Sequence, residues 1–181
     1  MNALLVVDMQ RDLFRDADAR HDAQGVVSRI ETLCRAMRAT GGTVVFVRHA
    51  GADGWLEPGT EGWEILSELP LSESDLPVEK MSCDSFCRTP LEAMLRERGV
   101  EHLYVVGCCT DYCIDATVRA AASLGFRLTV PSDCHTTGDK PALDAATVVR
   151  HHNHVWATMI TPEQPVRVMP LADCLKELGN G

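Results

Sequence analysis

Three of the chain's eight cysteines fall within six residues of the stretch VVGCCTDYCIDAT. Cys108 and Cys109 are adjacent, and Cys113 follows after Thr110, Asp111 and Tyr112. Thiols at this density suit three chemistries. A tetrahedral zinc centre wants two pairs of ligands, each pair a few residues apart. Cys109 with Cys113, and Cys83 with Cys87, have acceptable gaps, yet nothing in the pattern obliges the two pairs to meet. A thioredoxin-like redox pair needs two intervening residues, and that C-x-x-C spacing is absent from the cluster. A single nucleophile needs a thiolate site at a helix N-terminus, a nearby base and a cation to hold the charge. Cys113 opens the helical run CIDATVRAAASLG. Asp8 is a carboxylate closing the apolar run NALLVV, and Lys80 follows the extended LPV of LPVEKMSCDSF. Taken alone, Asp8 reads as a helix cap and Lys80 as a solvated surface charge. All three stand at strand ends, and together they favour the nucleophile.

The elements that must position them alternate along the chain. NALLVV reads as a buried strand, and Val26, Val27, Ile30, Leu33, Cys34 and Met37 recur at helical spacing. Gly41 and Gly42 stop that helix, and TVVFV is the next strand. Residues 50–63, with four glycines and a proline, form a long loop of the kind that often carries function. A short helix is expected over 63–69. Thr89, Pro90 and Glu92 mark the start of another helix that closes at a glycine. HLYVVG, RLTVPSD and VRVM read as strands, with helices within 113–125, 142–159 and 170–179. Apolar strands alternating with helices predict a three-layer α/β fold, a mainly parallel sheet of about six strands covered on both faces. Ligands in such sheets gather beyond the strand carboxyl ends, where the strand order reverses. If the first strand and the strand at 102–106 are neighbours there, Asp8 and Cys113 share a crevice. The chain reads as one domain over residues 1–181.

Composition narrows the partners. Aspartate and glutamate outnumber lysine and arginine 26 to 17, a formal charge of -9. No basic run interleaves with aromatics, so nucleic acid is not an expected partner. The run ALLVV is too short for a signal core or a membrane span, which suggests a reducing, cytoplasmic setting without structural disulfides.

The chain resembles the isochorismatase-like cysteine hydrolases, a family that includes nicotinamidases and N-carbamoylsarcosine amidohydrolases. The likeness rests on LLVVDMQRDLF, on PGTEGWEILSELP with VEKMSCDSFCRTPLEAML, and on LYVVGCCTDYCIDATVRAAASLGFRLTVPSDC, in that order and spacing. The resemblance implies a Rossmann-like sheet and an Asp8, Lys80, Cys113 triad. It also implies a cis peptide between Cys108 and Cys109, with the N–H groups of Cys109 and Cys113 as an oxyanion hole. On this reading Cys113 attacks a small amide or carbamoyl compound and Cys108 is packing. Members acting on the vinyl ether of isochorismate need no cysteine nucleophile, so Cys113 favours C–N hydrolysis over an isochorismatase activity.

Nicotinamidases of the family carry a D-x-H metal motif with further histidines after the second strand. Here His49 stands alone after an arginine, so no metal and no other cofactor is expected, and nicotinamidase is the runner-up activity. His151, His152 and His154 do not share a helix face and are read as a subunit contact or a capped helix end. Phe14 and Trp55, on loops, are candidate walls of the substrate pocket. The family likeness implies a homo-oligomer. A thiol redox sensor built on Cys108, Cys109 and Cys113, and a catalytically silent binding protein, are the readings from other classes. The helix N-terminus and Lys80 both favour the Cys113 anion, so Cys113 is expected to be the most reactive thiol.

Overall fold

The structure is a computed structural model that describes residues 1–16, 19–69, 71–162 and 164–179. Its strands are β1 (Asn2–Val7), β2 (Thr43–His49), β3 (Leu76–Lys80), β4 (His102–Cys108), β5 (Arg127–Pro131), β6 (His135–Thr136) and β7 (Arg167–Met169). They form one sheet in the order β3-β2-β1-β4-β5-β7, with β6 pairing the end of β4 beyond β5. Every strand pairing is parallel. The helices are α1 (Ala23–Ala39), α2 (Leu91–Glu97), α3 (Asp115–Ser123), α4 (Ala145–Thr158) and α5 (Leu171–Gly179).

The apolar run of β1 is buried on both faces because successive side chains alternate. Ala3, Leu5 and Val7 pack with Leu91 and Leu95 of α2, Val118 and Ala121 of α3, and Trp156 of α4. Leu4 and Val6 face the other way, onto Val26, Ile30, Leu33 and Met37 of α1 and Leu171, Cys174 and Leu178 of α5. Each fully buried aliphatic side chain contributes about 1.5–3 kcal/mol, so the central strands are fixed in place more firmly than the loops they carry. Helix α1 has the periodicity read from the sequence, and it stops at Thr40 before Gly41, whose φ of 72° suits glycine.

From β1 the order runs outward through β2 and β3 on one side and through β4, β5 and β7 on the other. The reversal therefore lies between β1 and β4. There Val7 stands in register with Gly107. A Cβ on Gly107 would come within 2.0 Å of the Val7 carbonyl oxygen, and its φ is 125°. Glycine is what allows the two strands to approach at their ends. Six strands form the main order as expected, with the two-residue β6 beside it. One expectation differs from the structure: 63–69 is not a helix. Glu61–Trp63 forms a single tight turn, and Ile65 makes an antiparallel bridge to Gln10.

Candidate active site

The first residue beyond β1 is Asp8. Its amide donates to Val47 O at 2.8 Å, and its φ of 53° lies in the left-handed region, uncommon for a residue with a side chain. That turn points the carboxylate across the sheet end. Lys80 closes β3, two strands away, with β2 between, a separation of about 9–10 Å at normal strand spacing. The long lysine stem spans the gap: Lys80 Nζ lies 2.7 Å from Asp8 Oδ2, with both side chains essentially sealed from solvent. The same nitrogen donates to Ser82 O at 2.9 Å and to Cys113 Sγ at 3.2 Å. An ammonium has three N–H donors, and three acceptors surround this one. The structure thus brings Asp8, Lys80 and Cys113 into one cluster.

Cys113 arrives from the opposite side of the switch. After β4 the chain makes a wide helical turn, Thr110–Ile114, before α3 begins. The Cys109 carbonyl accepts from Tyr112 N at 3.0 Å and from Ile114 N at 3.1 Å, the second a five-residue bond of π type. These two amides flank that of Cys113. The Cys108–Cys109 peptide is cis. The turn is tied down from below: Thr110 Oγ1 donates to His135 Nδ1 at 2.9 Å, and His135 Nε2 donates to Asn153 Oδ1 at 3.0 Å. Asn153 Nδ2 is committed to Ser132 O, which fixes Oδ1 as the acceptor and His135 Nε2 as the donor. Burial holds the His135 pKa down to about 4. Trp156 Nε1 donates to Asp115 Oδ1 at 2.8 Å at the start of α3.

The electrostatics follow from one cation serving two acids. Burial raises the Asp8 pKa, against the pull of Lys80. Burial also raises that of Cys113, followed by the negative charge of Asp8, while Lys80 opposes. For Lys80, burial works downward, but Asp8 and Cys113 together leave it raised. Lys80 is therefore held as the ammonium and Cys113 as the neutral thiol. This corrects the sequence reasoning: helix position and Lys80 do favour the Cys113 anion, but burial and Asp8 outweigh them. The thiol with a lowered pKa is Cys109, brought to about 7, first by a hydrogen bond from Cys108.

Gln10, unremarked in the sequence, links the loops around the cluster. Its Nε2 donates to His49 O at 3.0 Å and Trp63 O at 2.9 Å, and its Oε1 accepts from His49 N at 2.8 Å. A buried amide two residues past a catalytic-looking carboxylate was a readable signal; His135 offered none. His49 pairs in register with Lys80, and burial and Lys80 lower its pKa. Trp55 sets its ring 5.7 Å from that of His49 and is 54% exposed, so it stands at the rim on the Lys80 side. Phe14 lines a groove of about 730 Å³ with Gln24, Val27, Glu31, Arg35 and Leu66, none of them in the triad. His151 and His152 meet edge to face on α4, where His152 also faces Trp156. Among the described residues no group of three or more His, Cys, Asp or Glu is placed to hold a metal ion.

A parallel α/β sheet that gathers Asp8, Lys80 and Cys113 at its switch point is an arrangement to which comparison gives a name. The chain belongs to the isochorismatase family: the isochorismatase domain model matches residues 2–164. A streptothricin hydrolase of Streptomyces noursei is 37% identical over 143 residues, covering 78% of this chain and 52% of that protein. The chain thus spans about half the length of the streptothricin hydrolases it matches. The ureidoacrylate amidohydrolase RutB of Klebsiella pneumoniae is 26% identical, over 80% of this chain and 78% of its own. A crystal structure of an isochorismatase-family protein from Chromobacterium violaceum superposes with a TM-score of 0.88 at 28% identity, covering 99% of this chain and 94% of that one. The family is one of hydrolases and includes amidohydrolases that act on small molecules. No helix among the described residues is long and apolar enough to cross a membrane.

Proposed function

We propose that the protein is a cysteine hydrolase that cleaves a C–N bond of a small amide or carbamoyl compound through a thioester on Cys113. The observation that carries this reading is the buried Lys80 ammonium bonded at once to the Asp8 carboxylate and the Cys113 sulfur. Asp8 takes the thiol proton as Sγ adds to the substrate carbonyl carbon. The carbonyl π electrons move onto oxygen, which the N–H groups of Cys109 and Cys113 receive, each such donor being worth about 3 kcal/mol. The flanking bonds of Tyr112 and Ile114 to Cys109 O support this role for the Cys113 amide. Collapse breaks the C–N bond, Asp8 protonates the departing nitrogen, and ammonia or an amine leaves. Water then adds to the thioester, Asp8 accepts its proton, and an acid departs as Cys113 regains its hydrogen. Lys80 holds the single negative charge wherever it resides. Trp55, beside His49, is the substrate wall the site supports; Phe14 belongs to a groove of different lining.

The reading is tested with a panel of small amides, ureas and carbamoyl compounds, scored for ammonia, with mass spectrometry for an acyl group on Cys113. The expected result is turnover of at least one member and its loss in Cys113→Ala. Parent-like turnover in Cys113→Ala would overturn the nucleophile. The protein is further proposed to work as a homo-oligomer, with the histidine-bearing helix α4 the first place to look. Light scattering that gives only monomer would count against that.

A further inference from the structure

Two thiols beside the nucleophile take no side-chain part in the reaction above. Cys108 Sγ and Cys109 Sγ are 2.7 Å apart. Cys108 is fully buried, whereas Cys109 is partly open to solvent. The pair and the nucleophile also belong to different faces of the sheet: Cys108 and Cys109 pack with the α1 and α5 core, Cys113 with the α2 and α3 core. The sulfur nearest to Cys109 for bond formation is therefore that of Cys108.

We propose that Cys108 and Cys109 form a two-electron redox site, in which a peroxide oxidises Cys109 and Cys108 closes a vicinal disulfide that stops hydrolysis. The Cys109 thiolate attacks one peroxide oxygen and breaks the O–O bond, giving a sulfenic acid and hydroxide, which takes up a proton to become water. The Cys108 thiol then attacks the sulfenic sulfur, the S–O bond breaks, and a second water leaves with the thiol proton. Two thiols and one hydrogen peroxide thus give one disulfide and two waters. The local charges favour Cys109 as the sulfur attacked. Its pKa is brought to about 7 by the hydrogen bond from Cys108 and, against burial, by Arg20 and Lys140, with Asp111 opposing. Cys108 stays protonated because burial raises its pKa, which keeps it the donor. Cys113, half-buried beside the Asp8 carboxyl, has its pKa raised, stays a thiol and is the poorer target.

The effect on hydrolysis rests on the function proposed above; formation of the disulfide does not. Joining the sulfurs constrains the residue whose carbonyl anchors Tyr112 and Ile114 and whose amide faces the proposed oxyanion. Turnover is expected to fall at least tenfold and to return with dithiothreitol.

The test treats the native protein with hydrogen peroxide at neutral pH, then unfolds it in iodoacetamide and sequences the fragment holding all three cysteines. The expected product is two hydrogens lighter at Cys108 and Cys109, with the alkyl group on Cys113 alone. Cys108→Ala should keep its turnover before oxidation and give a Cys109 sulfenic acid that dimedone traps; Cys108→Ser serves if the alanine variant folds poorly. Alkylation of both Cys108 and Cys109 after peroxide, or a disulfide that includes Cys113, would overturn the redox site. A disulfide at 108–109 with unchanged turnover would overturn the switch. If no amide on the panel is hydrolysed, the mass measurement still decides whether the site exists.

Discussion

Replacing Asp8 by asparagine changes one oxygen for an amide nitrogen and removes a charge at almost constant volume. At 2.7 Å and an effective dielectric near 20, the Asp8 to Lys80 attraction is on the order of 6 kcal/mol. Breaking one side of a buried pair ordinarily costs about 3–5 kcal/mol, because the other charge is stranded. Here Cys113 Sγ lies 3.2 Å from the same nitrogen and can supply the missing anion, with an attraction on the order of 5 kcal/mol. The stability loss should therefore lie toward the low end of that range, because the cost of ionising the desolvated thiol offsets part of the second attraction. The same exchange sets the sign of the thiol's response. Asp8 raises the Cys113 pKa and Lys80 lowers it, so Asp8→Asn leaves Lys80 unopposed and the pKa falls. Turnover moves the other way. Without Asp8 no group protonates the leaving nitrogen or takes a proton from the attacking water, a loss of about 10²–10⁴-fold, or about 3–5 kcal/mol on the barrier. The assay pairs ammonia release with iodoacetamide labelling of Cys113, followed by peptide mapping across pH. A variant that hydrolyses its best amide within tenfold of the parent, or whose Cys113 labels more slowly, would refute the reasoning.

Lys80→Met should lower turnover by about 10²–10⁴-fold, since the charge-assisted bonds to Asp8 and Cys113, each of about 1.5–3 kcal/mol, are lost along with that to Ser82 O. It should also slow Cys113 alkylation, the opposite sign to Asp8→Asn, because the cation that favours the thiolate is gone. Gly107→Ala should destabilise the fold by about 3–5 kcal/mol in urea unfolding, from overpacking and a strained φ together; its Cβ would meet Val7 O at 2.0 Å. His135 is neutral when folded, with a pKa near 4 against 6.5 for an ordinary histidine. Its contribution is fully present above pH 6.5 and is lost as pH falls toward 4, by about 3 kcal/mol in total. Asp8, with a raised pKa, contributes with the opposite sign in the acid range. Comparing the parent with His135→Gln removes that term, and identical acid slopes in the two proteins would refute the assignment.

How far the fold was legible depended on how much apolar pattern each element carries. β1 and α1 were readable because burial on two faces and on one helical stripe imposes distinct periods. β6 was not, since two residues that pair only with Gly107 and Cys108 leave no pattern. The spacing of Trp63, Leu66 and Leu69 reads as a helix, but the bridge between Gln10 and Ile65 and the bond from Leu66 N to Met9 O take that backbone instead. Asp8, Lys80 and Cys113 stood out as residue types at strand ends, whereas their meeting depends on a strand order that spacing alone does not encode. The reach of Lys80 across β2 is a tertiary fact. The hinge-like π turn before α3 was likewise hidden, because its shape is set by Cys109 O accepting from both Tyr112 and Ile114.

The contrast among the three clustered thiols comes down to counting charges in two small volumes. Around Cys113 there is one cation, Lys80, and one acid already paired with it. A thiolate there would be a second buried anion, so the thiol keeps its proton until Asp8 gives up its own charge by accepting it. Ionisation of the nucleophile is then coupled to the step that needs it, with the substrate oxygen drawing the charge onward to the backbone amides. Around Cys109 the balance differs. The Cys108 thiol, Arg20 and Lys140 together outweigh burial and Asp111, so an anion is tolerated without any partner changing state. A site built this way holds its attacking sulfur in the form least open to oxidants and leaves the more ionisable sulfur one short turn away. Reactivity toward small electrophiles and catalytic role should therefore fall on different cysteines of the same six-residue cluster.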